Sequence, residues 1–296
     1  MSQSKQVKVV FCPRCGSTDA GEGDSQHAPP GYTQMLCGHC AHFELCDEWE
    51  LRFRWNTTIS LDEGAPLPGF VFVRDRLIET LRRFCAVAAR EEDSFASRAA
   101  VRALCERVGA AWSEPHRRYH SLQHLAECLR WLDDPRITEA IAERDEVELA
   151  LFLHDLRYET MRSDNEQKSA EESRAMLTAL DGADPRRVER VCAMIIATKD
   201  HSARTDDERV MLDIDLSILG ADERRFAEYE QQIREEFHWV DAAAYAMGRR
   251  AVLAKFAARQ PIYQREPLRA ALEAAAHANL ARALAVTPDP SEAVSS

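Results

Sequence analysis

LALFLHDLRYET, residues Leu149 to Thr160, poses the question on which the fold and the chemistry both turn. Five apolar residues run directly into His154 and Asp155, an imidazole beside a carboxylate at the end of a segment built for burial. Buried charge is costly unless it is paired or bound to a metal ion. Upstream, DEVELALFLHDLR is apolar nearly all round, which predicts a central helix in a helical core. Asp145 and Glu148 have the spacing of a capping box at its start.

Outward from that helix, the chain from about residue 71 is Ala, Leu, Arg and Glu at helical period. RDRLIETLRRFCAVAARE, SFASRAAVRALCERV, SLQHLAECLRWL, DPRRVERVCAMIIAT and PLRAALEAAAHANLARAL all read as amphipathic helices. Pro185 and Pro267 stand where proline is favoured, at helix starts. The fold class expected over 71–284 is therefore all-α, with short loops. Residues 285–296, AVTPDPSEAVSS, read as a disordered tail.

Residues 1–65 have a different texture. FCPRCG and LCGHC supply two CxxC pairs, Cys12 with Cys15 and Cys37 with Cys40. Two thiolates in a tight turn grip one side of an ion, and two such turns complete a tetrahedron, the arrangement of a structural zinc site. In FELCDEWELRFRWNTTI, Phe43, Leu45, Trp49, Leu51, Phe53 and Trp55 fall at even spacing apart from a gap at Asp47, which suggests a strand or hairpin. A small zinc-ribbon-like β module is expected here, joined through LDEGAPLPGF to the helical domain. Being coordinatively full, it would do no chemistry, and it is a candidate docking surface for a protein partner.

Size and composition narrow the function classes. At 296 residues the chain has room for one large domain and a small appendage. A net charge of −12 argues against a protein that coats nucleic acid. No apolar run reaches the ~18 residues needed for a membrane span, and no secretory h-region precedes the first cysteine pair. Single cysteines in apolar helical stretches fit a reducing compartment, so a cytoplasmic location is expected.

Four segments carry the candidate chemistry: RRYHSLQHLAECL, ALFLHDLRYE, ATKDH and MLDIDLSILG. They offer His120 and His124, spaced for one helix face, then His154 and Asp155, then His201, then Asp213 and Asp215. Nitrogen and oxygen donors from several helices are the usual way to build a metal site in an all-α core. Asp213 reads as a helix-end carboxylate rather than a ligand, and His116, His238 and His277 as surface residues. Arg117, Arg118 and Lys199 lie close in sequence to the candidate ligands and offer charge for a phosphate.

Together, RYHSLQH, FLHDLRY, SDNEQKSAE, TKDH and DLSILG resemble the HD superfamily of metal-dependent phosphohydrolases, in particular a bacterial group of HD-type phosphohydrolases, over roughly 71–284. The resemblance implies an HD-domain helical bundle and a divalent ion held by His120, His154, Asp155 and Asp215. Mg, Mn, Fe, Co, Ni and Zn are not distinguished by it. His120 is favoured as first ligand because it stands in the H-S-L context of many members. His124 then becomes a substrate contact or, with His201, a ligand to a second ion. The implied reaction is attack of activated water on a phosphate ester or anhydride of a small phosphorylated metabolite or nucleotide. Asp155, Glu166 or Asp164 would handle the proton, although SDNEQKSAE reads equally as a solvated loop entering a helix. The alternatives are a di-iron oxygenase on the same fold and a non-catalytic ligand-sensing or partner-binding module.

Overall fold

The computed structural model describes residues 6–10, 20–22, 33–37, 43–46, 56–60, 70–85 and 95–286, with side chains placed over 76–85 and 99–286. Among the described residues, the stretch from 70 onward is helical and contains no strand, as the periodicity predicts.

Among the described residues, the first sixty positions contribute five short strands. β1 (Gln6–Val10) pairs antiparallel with β5 (Asn56–Ser60), and β3 (Thr33–Cys37) lies between β2 (Ala20–Glu22) and β4 (Phe43–Cys46). Cys37 ends β3 opposite Ala20. Cys12, Cys15 and Cys40 lie outside the described residues, as does the 285–296 tail from residue 287 onward.

The helices follow in order: α1 (Phe70–Phe84), α2 (Phe95–Trp112), α3 (Leu122–Leu132), the single turn α4 (Pro135–Thr138), α5 (Arg144–Leu153), α6 (Asn165–Thr178), α7 (Pro185–Ala197) and α8 (Asp206–Asp215). A 3-10 turn, Leu216–Gly220, leads into α9 (Glu223–Glu236), α10 (Ala242–Ala257) and α11 (Glu266–Val286). α5 is the central element, packed by α1, α3, α6, α7 and α8. Val147 and every residue from Leu149 to Leu153 are fully buried, each large side chain contributing about 1.5–3 kcal/mol of burial free energy. Pro185 stands at the first position of α7, where Asp184 caps the Arg186 N–H.

The start of α5 differs from the expected capping box. The helix begins at Arg144, and Glu143 before it accepts no capping bond. Asp145 pairs with Arg83, while Glu148 pairs with Arg76 and Arg144. Glu146, fully buried, takes both Arg187 and Arg190 of α7. Arginines from neighbouring helices outcompete the local backbone for these carboxylates, because charge-assisted bonds are the stronger ones. The backbone N–H groups of Ala142 and Glu143 are instead capped across space by Asp207, both at 3.0 Å. A reciprocal capping box does occur one element later, between Thr205 and Glu208 at the start of α8.

Candidate metal centre

Two buried helical shafts end at the same place. α5 stops at Leu153, His154 is its C-cap and Asp155 follows in the turn. α8 runs through Met211, Leu212 and Ile214 and stops at Asp215. α3 packs on both and carries His124 in its first turn, on the buried stripe of Leu125, Cys128 and Leu129. His120 precedes that helix, because Ser121 is the N-cap. His120 and His124 therefore do not share a helix face as their spacing suggested, although their rings stand 6.1 Å apart.

The donor atoms converge on Asp215. Its Oδ1 lies 3.1 Å from His124 Nε2 and 3.4 Å from His154 Nε2, and its Oδ2 lies 3.4 Å from His201 Nε2. His154 Nε2 also faces Asp155 Oδ2 at 3.0 Å. His124, His154 and Asp155 have ligand atoms close enough to share one ion, as do His124, Cys128 and Asp215. Donors on one tetrahedral ion at bond lengths of about 2.0–2.1 Å stand roughly 3.4 Å apart. The observed separations match that geometry.

The tautomer of His154 sharpens the fit. Its Nδ1 lies 2.9 Å from the carbonyl oxygen of Leu151. A carbonyl only accepts, so Nδ1 carries the proton and a neutral ring directs the Nε2 lone pair at two carboxylates. His154 Nε2 and Asp155 Oδ2 are buried and make no hydrogen bond of acceptable geometry. Such a meeting of acceptors needs a cation between them. Without a metal, a proton on Nε2 fills that role. Burial opposes the charge, but Asp155 and Asp215 outweigh it and hold the imidazolium well above the usual histidine range. The same attraction depresses both carboxyl groups despite their burial.

His120 is set by a residue the sequence did not single out. Glu236, last in α9 and fully buried at its side chain, accepts the backbone N–H groups of Arg118, Tyr119 and His120 on Oε1 at 2.7, 2.9 and 3.0 Å. Its Oε2 accepts His120 Nδ1–H and the Tyr158 hydroxyl, both at 2.7 Å. Tyr158 also stacks on the His120 ring at 4.0 Å. Burial alone would raise the Glu236 carboxyl, yet His120 and these donors bring it down to about 2. The carboxylate fixes the ring so that Nε2 is the free nitrogen, the arrangement that supports ligand histidines in metal proteins. No helical periodicity flags Glu236, because its partners lie 78 to 118 residues upstream.

His201 adopts φ 55°, in the left-handed region that a non-glycine residue rarely occupies. Arg259 donates to the carbonyls of Asp200 and His201, and the ring stands edge-on to Phe256 at 5.5 Å. Backbone strain held by its surroundings is common at functional sites. Here it delivers an imidazole to Asp215.

The remaining sequence candidates are placed elsewhere. Asp164 is ion-paired with Arg162, and Lys199 donates to the Ser163 carbonyl. Glu166 is half-buried in the first turn of α6, with no side-chain partner among the described residues. Neither Asp164 nor Glu166 belongs to the groups of converging donors. Arg117 is fully buried at its side chain, donates to the Asp155 carbonyl at 2.7 Å and lies between the Trp112 and Tyr158 rings. It braces the His154–Asp155 turn from inside. Arg118 is exposed, 3.7 Å from Glu235. Asp213, two residues from Asp215 and so on the far side of α8, caps the backbone N–H groups of Gln264 and Arg265 at 2.9 and 2.6 Å.

No protein-family model, no curated protein and no solved structure matches this chain.

Proposed function

We propose that this chain is a metal-dependent phosphohydrolase of HD type, acting on a phosphate ester or anhydride of a small nucleotide-like metabolite. The observation that carries the reading is the unpartnered His154 Nε2, buried and facing Asp155 and Asp215 with His124 alongside. His124, His154, Asp155 and Asp215 are the side chains that would hold the ion, and His120 and His201 border it. The chemistry such an ion would supply is a lowered pKa for a water molecule and polarisation of a phosphoryl oxygen.

The chain's own residues supply the rest. Asp155 would accept the proton from the attacking water, and Glu166, which has no side-chain partner among the described residues, is the candidate to relay it. His120 is partly exposed, and Glu236, Asp155 and Asp215 overcome burial to raise its pKa. As an imidazolium with Nε2 free it binds a phosphoryl oxygen or donates to the leaving group. Arg118 and Lys199, both exposed, are cations that would meet a phosphate. The N-terminal CxxC pairs are proposed to hold a structural zinc ion, with that module facing a protein partner. Among the described residues no helix is long and apolar enough to cross a membrane.

A second reading, a di-iron oxygenase, draws support from the imidazoles near both oxygens of Asp215, which would offer donors for more than one ion. The experiment that separates them is a metal-supplemented hydrolysis screen over nucleotides and sugar phosphates, with metal content and oxygen uptake measured together. Phosphate release that disappears in Asp155→Ala supports the hydrolase. Two irons per chain with oxygen uptake and no phosphate release overturns it.

A further inference from the structure

The centre keeps its contact with solvent at His120 and His201. Their side chains are 20% and 19% exposed, whereas those of His124 and His154 are shut off at 2%. The loop from Tyr158 to Ser163 runs between these two bordering histidines. It begins with the Tyr158 ring stacked on His120, and it ends where the Ser163 carbonyl accepts Lys199 Nζ at 3.0 Å, two residues before His201. Midway, Thr160 Oγ1 accepts the indole N–H of Trp239 at 2.8 Å. Trp239 stands three residues after Glu236, the carboxylate that fixes His120. The loop and the end of α9 are therefore clasped twice, Tyr158 on Glu236 and Thr160 on Trp239.

An exposed tryptophan is by itself ordinary. This one is 49% exposed while its single hydrogen-bonding group is already satisfied on the loop that borders the centre, with the Phe237 ring 6.4 Å away. The indole surface left to solvent is apolar, and the bond to Thr160 fixes its orientation. Met161, the residue after Thr160, is 78% exposed. Apolar surface left in water beside a polar centre is surface that a ligand can bury with gain. An indole face and a polarisable thioether are contacts suited to a flat ring.

We infer that Trp239, with Met161 beside it on the loop, is a stacking platform for a planar aromatic group on the substrate, selecting phosphates that carry such a ring over sugar phosphates. This rests on the phosphohydrolase reading above and adds the part of the substrate lying outside the metal centre. A nucleobase and a simple aryl group share the chemistry. No bond or proton changes at Trp239, so its contribution is to binding and its loss appears in KM.

The test uses the full chain loaded with manganese, as wild type, Trp239→Ala and Trp239→Phe. Turnover is measured on adenosine monophosphate, p-nitrophenyl phosphate and ribose 5-phosphate. Trp239→Ala is expected to lower kcat/KM for adenosine monophosphate relative to ribose 5-phosphate by about tenfold or more, through KM. Trp239→Phe, which keeps a ring and loses the bond to Thr160, should retain most of that ratio. The p-nitrophenyl arm separates the sources, both consistent with the platform: an equal loss there assigns any flat ring, and no loss there assigns a nucleobase.

An unchanged ratio in Trp239→Ala overturns the platform and leaves the hydrolase reading standing. So does a Trp239→Phe ratio as low as that of Trp239→Ala, which would make Trp239 a latch for the loop. Failure of the wild type to hydrolyse any of the three counts against the hydrolase reading, and binding then decides the platform. Quenching of indole fluorescence by adenosine monophosphate that disappears in Trp239→Ala upholds it, and equal quenching in both proteins, or none, overturns it.

Discussion

Glu236 receives the ring N–H of His120 at 2.7 Å while the other oxygen of the same carboxylate takes three consecutive backbone N–H groups from Arg118 to His120. One buried side chain thereby fixes the segment and the ring orientation together. Replacing it by glutamine keeps the shape and removes the charge. Glu236→Gln is expected to weaken metal affinity or turnover by about 10–100-fold and to lower the pKa of His120. Calorimetric metal titration and the pH dependence of turnover check this.

The same carboxylate sets an acid limit on stability. Its folded pKa is depressed from 4.5 to about 2. A depressed acid stabilises the fold above the unfolded value and loses that contribution as pH falls through the folded one. About 3 kcal/mol should therefore be lost between pH 4.5 and pH 2. Denaturant unfolding of wild type and Glu236→Gln across that window measures it, and the variant should show a shallower slope.

Metal binding should have a proton linkage of the same sign, set by a different residue. The pKa of His154 is raised well above 6.5 in the metal-free protein, burial notwithstanding, by Asp155 and Asp215. A metal ion must displace that proton, so affinity should rise with pH across the neutral range and binding should release protons. Calorimetry in buffers of different ionisation enthalpy reads the number released.

At His201 a comparison of two variants isolates backbone strain from the ring. The φ of 55° suits glycine and penalises alanine. His201→Gly should be more stable than His201→Ala by about 1 kcal/mol, with both losing the imidazole and activity alike. Thermal unfolding of the pair tests the strain, and equal melting points would argue against it.

Gly220 closes the DLSILG segment for a packing reason. A Cβ there would stand 2.6 Å from Leu272 Cβ and 2.7 Å from the Leu272 carbonyl oxygen, both on α11. Gly220→Ala should cost about 1–3 kcal/mol from overpacking, reducing the melting temperature while leaving metal stoichiometry intact at low temperature.

The apolar run into His154 made the centre of the fold legible, because a helix buried on all sides has few other readings. His154, Asp155 and Asp215 were legible as polar residues stranded in apolar context. His124 and His120 were visible, but their division of labour was not, since it depends on where α3 begins. Spacing treated them as one helical face, and the N-cap at Ser121 separates them. Glu236 was hidden among the glutamates of an amphipathic helix, and only tertiary packing distinguishes it from Glu235. Arg117 reads as a phosphate contact from its neighbours, whereas the chain turns it inward onto the Asp155 carbonyl. The Asp145–Glu148 pattern misled for a related reason: a capping box is local, and its carboxylates were taken by arginines of other helices.

The central claim is that one divalent ion sits among His124, His154, Asp155 and Asp215. Anomalous diffraction from crystals of the full chain soaked with zinc or manganese tests it most directly. A peak within about 2.0–2.3 Å of His154 Nε2 and of carboxylate oxygens from both Asp155 and Asp215 is the result expected. A fully loaded crystal with no anomalous density among these side chains, or with a peak bonded to none of them, would contradict the account.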